Sequence, residues 1–184
     1  METIETQTTH INLSVDSGQM SVVSWPTKFE DEHHLSVPVQ KGAMFQVSVG
    51  HGREGRVSSL KLKVTGSSIE GMTPAQLCSV KVKGGYLLAV EDYLAISDPC
   101  YLDQVSHVPE WWQEEYHVTT HGYGAACEAT TGDGDGAGFF KERSNSSGQS
   151  AFACETGYGD GSYPAVMEYD DDGKLTSLKV EFMD

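Results

Sequence analysis

The residue best suited to covalent chemistry is Cys100, which sits in Asp98-Pro99-Cys100-Tyr101 at the end of an apolar run. A thiol attacks as its thiolate, so a reactive Cys100 needs a base within hydrogen-bonding reach. His107 and His121 are the candidate bases. The chain carries no Gly-x-Ser-x-Gly elbow and none of the local signatures of cysteine hydrolases. A small buried cysteine that simply packs is the plainer expectation for Cys100.

Two patterns suggest metal ions, and both are incomplete. Asp133-Gly134-Asp135-Gly136 opens like a calcium loop, which then needs an oxygen ligand at its fifth position and a glutamate at its twelfth. Those positions hold Ala137 and Ser144. A looser set of Asp133, Asp135 and Asp160 stays open, although solvated glycine turns explain the same residues. For zinc, the seven histidines and four cysteines include no Cys-x-x-Cys and no His-Glu-x-x-His. His117 and His121 flank Val118-Thr119-Thr120, a run that favours a strand, where the two rings stand about 13 Å apart. Adding Cys127 gives a conceivable but unsupported trio. The Gly-x-Gly pairs at Gly122, Gly132 and Gly157 lack a following Gly-Lys-Ser/Thr, which leaves a phosphate cradle with little support. No metal and no cofactor is expected.

Charge narrows the partners. The net charge is -15, which opposes docking on nucleic-acid backbone or on an anionic membrane. The sign is uneven. Between Lys41 and Val90 stand Lys41, Arg53, Arg56, Lys61, Lys63, Lys81 and Lys83, against only Glu54 and Glu70. Either the lysines form one solvated face, or a basic patch of one copy meets an acidic patch of another. No stretch approaches the length of an apolar membrane span, and Met1 to His10 lacks the marks of a secretory signal. A soluble cytoplasmic protein with reduced cysteines follows as the expectation.

The elements that must position these groups read as strands. The 20 glycines suit many strands joined by tight turns. Leu60, Leu62 and Val64 alternate with Lys61 and Lys63, the period of two of a half-buried strand, and Val80 and Val82 alternate with Lys81 and Lys83 in the same way. This predicts a lysine-faced antiparallel sheet with Lys61, Lys63, Lys81 and Lys83 as its interaction surface. Ala43 to Val49 pairs with Arg56 to Val64, and Ala165 to Tyr169 forms a hairpin with Leu175 to Phe182. Ile11 to Val15 and Met20 to Trp25 read as a first hairpin. Tyr86 to Ile96 reads as a buried strand broken near Glu91-Asp92. Residues 1–10 read as a flexible or edge-pairing lead and 26–38 as a loop-like connector. Short helical turns are expected at Thr73 to Leu77 and Pro109 to Tyr116. Cys127-Glu128 and Cys154-Glu155 each precede a Thr-Gly-x-Gly-Asp-Gly piece, which would fit a duplicated strand-turn unit.

Three pieces together, Val15 to Met20, Ser97 to Tyr101 and Thr156 to Pro164, resemble motifs of a set of small uncharacterised bacterial and phage proteins. "VDxGxM", "DPCY" and "YGDGxY" segments recur in that set. The resemblance implies origin and a compact β fold, and carries no activity. If the three segments pack together, Asp16, Cys100 and Asp160 approach one another, and Asp98, Cys100, Tyr158, Asp160 and Tyr163 become the candidate ligand site. The same residues also suit plain turn-building.

The expectation is therefore one domain over 1–184, mostly antiparallel β, a sandwich or partly closed barrel with one or two short helices. The expected function is a non-catalytic binding or assembly protein, acting on a protein partner or on itself. The competing expectation is a small-ligand receptor or cysteine enzyme using Cys100, His121 and the Tyr158 to Tyr163 loop.

Overall fold

A computed structural model of the chain describes residues 6–25, 34–67, 81–90, 93–101, 122–131, 136–140 and 151–182. Along it run strands β1 (Thr6–Val15), β2 (Gln19–Trp25), β3 (His34–Pro38), β4 (Ala43–His51), β5 (Val57–Ser67), β6 (Lys81–Val90) and β7 (Tyr93–Ser97). Helix α1 (Gly122–Thr131) comes next, followed by β8 (Ala137–Phe140), β9 (Ala151–Glu155), β10 (Gly161–Tyr169) and β11 (Leu175–Glu181). The strands form two antiparallel sheets. One is six-stranded, in the order β1-β4-β5-β11-β10-β6, and the other is five-stranded, in the order β3-β2-β7-β9-β8.

Each sheet turns one face inward, and period-two patterning selects that face. In β4, Ala43, Phe45, Val47 and Val49 are buried while Met44, Gln46 and Ser48 between them are half-buried. In β5, Leu60 and Leu62 are buried and Lys61 and Lys63 point the other way. The shared core joins Phe45, Leu62 and Met167 of the six-stranded sheet to Met20, Ile96 and Phe152 of the five-stranded one. Burying each such side chain is worth about 1.5–3 kcal/mol before entropy is counted. The result is a β-sandwich, and neither sheet closes into a barrel among the described residues.

The connections correct several readings. Ile11–Val15 and Met20–Trp25 are not a hairpin, because β1 pairs with β4 in one sheet and β2 pairs with β3 and β7 in the other. The turn at Asp16–Gly18 is an arch that carries the chain between sheets, with Gly18 at φ +86°. Residues 34–38, expected within a connector, are strand β3, paired with β2. A second arch from β3 to β4 lies against the first, where Val39 N–H donates to Gly18 O at 3.0 Å and Gly42 N–H to Val15 O at 2.8 Å. The break expected near residue 91 is again a change of sheet, from β6 to β7. The paired strands β4–β5 and β10–β11 form as expected, and residues 6–10 do pair at a sheet edge. The expected helical turns near 73–77 and 109–116 lie outside the described residues.

Helix α1 is where the sequence misled most, since its glycines and threonines resemble turn chemistry. It packs on the outer face of the five-stranded sheet, with Ala125 and Ala126 against Val23, Ala95 and Ala153. Small side chains on both surfaces allow close approach. A Cβ on Gly138 of β8 would stand 2.8 Å from Ala129 O, so only glycine fits there without a shift. The duplicated unit does not exist as one structure, because Cys127 lies in a helix and Cys154 in a strand.

Candidate functional site

Asp98 stands at the end of β7, beside the first arch, and is fully buried. Its Oδ2 accepts hydrogen bonds from Asp16 N and Ser17 N, both at 2.7 Å. Its Oδ1 accepts from Cys100 N at 2.9 Å. Burial pushes the carboxyl group up, but the hydrogen bonds from Cys100 and Ser17 outweigh it and hold Asp98 below the usual carboxylate range. Asp98 is thus an ionised strut that fastens the arch to the Pro99–Tyr101 turn.

That role limits Cys100. The thiol is exposed and hydrogen-bonds to the Asp98 carboxylate. A carboxylate of such low basicity does not deprotonate a thiol. His107 and His121, the expected bases, lie outside the described residues, as do Asp133 and Asp135. Cys127 and Cys154 are buried, and the Cys154 thiol is pushed up by burial and by the Glu155 carboxylate.

The Tyr158 to Tyr163 segment is placed elsewhere. In the β7–β9 register Tyr93 faces Glu155 and Ser97 faces Ala151. Asp98 therefore follows one end of β7, and the Thr156–Asp160 loop starts beyond the other end, about 20 Å from Asp98 along the strand direction. The fold brings Asp16 to Asp98 but does not bring Tyr158, Asp160 and Tyr163 to Cys100. The antiparallel pairing of β7 with β9 is the physical reason.

Within its own loop, Gly159 O accepts hydrogen bonds from Thr156 Oγ1 and Tyr163 OH, each at 2.5 Å. The Tyr163 ring is buried edge-to-face against Phe182, with centroids 5.2 Å apart. Tyr163 therefore braces the loop from inside. Tyr158 projects outward with the Arg56 guanidinium 5.9 Å from its ring centroid, and Asp160 is exposed beside it. Arg56 also lies 3.8 Å from Glu54, whose φ of 64° makes it the one positive-φ residue other than glycine among the described residues.

A cluster that the sequence did not signal forms on the outer face of the five-stranded sheet. Tyr93 and Glu155 are cross-strand partners there, next to Cys127 and Thr130 of α1. Burial, then the nearby Cys127, pushes the Tyr93 phenol up to about 12, and burial also raises the Glu155 carboxyl group. Only the strand register and the helix make these residues neighbours, and neither was legible from spacing.

Lys61, Lys63 and Lys179 lie on the outer face of the six-stranded sheet. Lys61 pairs across strands with Lys179, and Lys63 with Ser177. Lys179 has Glu181 as an ion-pair partner. Lys61 and Lys63 are exposed and have no ion-pair partner among the described residues. Lys81 and Lys83 belong to the same sheet, in edge strand β6, with β11 and β10 between them and β5.

Among the described residues no three His, Cys, Asp or Glu side chains converge on one point, and no helix there is long and apolar enough to cross a membrane. The chain thus presents a two-sheet antiparallel β-sandwich, helix-covered on one sheet and bearing exposed lysines on the other. No protein-family model, no curated protein and no solved structure matches it.

Proposed function

We propose that this chain is a non-catalytic binding or assembly protein, of the bacterial or phage origin that its three motifs suggest. It works through the outer face of the six-stranded sheet, where it meets an acidic protein surface. The observation that carries this is the pairing of Lys61 with Lys179, beside Lys63, on an exposed face of a chain with net charge -15. Like charges set directly opposite each other on a strand pair oppose folding. Glu181 offsets part of that repulsion at Lys179, and an acidic partner relieves the rest at Lys61 and Lys63, drawn to this basic face of an anionic chain. The net charge argues equally that the partner is protein rather than nucleic acid.

A small-ligand receptor or cysteine enzyme built on the Asp98–Cys100 and Tyr158–Tyr163 loops has less support. Both Asp98 oxygens already accept amide hydrogens, and the two loops lie at opposite ends of β7. The test is a titration of isotope-labelled protein with poly-glutamate, followed by amide chemical shifts. The expected shifts centre on Lys61, Lys63 and Lys179, disappear at high salt, and are absent in the Lys61→Glu, Lys63→Glu double variant. Shifts that ignore these lysines and centre on Cys100 or Tyr158 would overturn the proposal.

A further inference from the structure

The lysines share their face with an exposed aliphatic strip. On β10 and β6 the side chains that alternate with the buried Ala165, Met167 and Leu88 point outward. Leu87 is 74% exposed and Val166 is 44% exposed, and Pro164, the cross-strand partner of Leu87, is also exposed. Register fixes how strip and lysines relate. Val166 pairs with Lys179, and Lys179 pairs with Lys61, so one row across the sheet runs from aliphatic to cationic. Adjacent strands are about 4.8 Å apart, which sets Lys61 about 10 Å from Val166 and about 14 Å from the column of Leu87.

We infer that the occupant of this face is a bipartite segment of another protein, acidic at one end and aliphatic at the other. It lies across β5, β11, β10 and β6. This rests on the reading of the face as a docking surface and adds the chemistry of the ligand. The cationic half supplies charge complementarity and orientation. A carboxylate is repelled by the rest of a chain with net charge -15 and accepted at Lys61 and Lys63. The aliphatic half supplies burial, since Leu87, Pro164 and Val166 form a contiguous patch rather than the single scattered apolar residues normal for a surface. A ligand of acidic residues alone would leave that strip in water. One of aliphatic residues alone would lack the orientation that the lysines give. Carboxylates about 10–14 Å from the aliphatic side chains match the footprint, a spacing of three or four residues in an extended segment.

The probe is a fluorescein-labelled peptide of three glutamates, a two-residue glycine spacer and three leucines, read by anisotropy against the whole protein. Two control peptides replace the leucines with serines or with glutamates. The expected result is that the leucine peptide binds about tenfold or more tightly than either control. Leu87→Asp should remove that advantage, the uncharged Leu87→Ser should remove it while leaving the all-glutamate control unchanged, and Lys61→Glu should weaken all three peptides. Both side chains are exposed, so none of these variants threatens folding, and near-UV circular dichroism checks this. Equal binding of all three peptides to the wild type would overturn the bipartite ligand while leaving the lysine face as a docking surface. No binding at all, with no effect of Lys61→Glu, would overturn both. If wild type self-associates and Leu87→Asp dissolves the assembly, the occupant is a second copy and the inference is wrong.

Discussion

Asp98 accepts more backbone hydrogen bonds than its place in a Ser-Asp-Pro turn suggests, because it serves two chain segments at once. Replacing it with asparagine puts an amide N–H₂ where an acceptor is needed. The expected cost is about 2–4 kcal/mol in urea unfolding at neutral pH. Because the folded Asp98 carboxyl group is held below its unfolded value, it contributes stability above the unfolded pKa of about 3.9, and that contribution is lost as pH falls through the lower folded pKa. Asp98→Asn should therefore narrow its stability gap from wild type in acid. Glu155 has the opposite sign. Its folded pKa is raised by burial, so it favours folding in acid and opposes it as pH rises through that value. Glu155→Gln should raise the melting temperature at pH 7 and lose its advantage near pH 4. Cys100→Ser should keep stability within about 0.5 kcal/mol and keep full biological activity, since a hydroxyl donates to Asp98 as a thiol does. Loss of activity in that variant would revive the thiol mechanism. At this scale the sequence did show Cys100 beside Asp98 and hinted at Asp16. It gave no sign of the Tyr93, Cys127, Thr130 and Glu155 cluster, because those contacts depend on register and a helix docked across it.

Elements with strict alternation were the legible ones. β5 reveals its two faces through Leu60, Lys61, Leu62 and Lys63, and β10 with β11 declares itself through the Asp170 to Gly173 turn between apolar runs. Asp170 indeed organises that turn by accepting from Asp172 N at 3.0 Å and Lys174 N at 2.8 Å. Hairpins and arches, however, share the same turn residues. Asp16-Ser17-Gly18 could close a hairpin, and only long-range pairing of β1 with β4 makes it an arch instead. Helix α1 was illegible for a different reason. Its helical state depends on packing against the alanine-lined sheet and not on strong amphipathic pattern. Gly138 makes that packing possible. Gly138→Ala forces its methyl group toward Ala129 O, and the expected cost is about 1–3 kcal/mol. Hydrogen exchange should show the loss concentrated in Gly124 to Thr131, and uniform loss across both sheets would contradict this account of the helix.

The described residues are asymmetric in cover, and the sequence is asymmetric in charge. One sheet is backed by α1, and the other presents Lys61, Lys63 and the Leu87 strip to solvent. The sequence disclosed the charge asymmetry, but not that the aliphatic strip shares the lysine face, since that needs the order β5-β11-β10-β6. The proposed function places the protein's activity on an open surface rather than in an enclosed small-ligand site. The most direct measurement is a native mass spectrum of the purified chain at low ionic strength, beside a denatured spectrum and the Lys61→Glu, Lys63→Glu double variant. The account predicts chain masses, single or multiple, without a stoichiometric adduct, and any multimer should vanish in the double variant. A constant small-molecule or metal adduct that survives in the double variant and disappears on denaturation would contradict it.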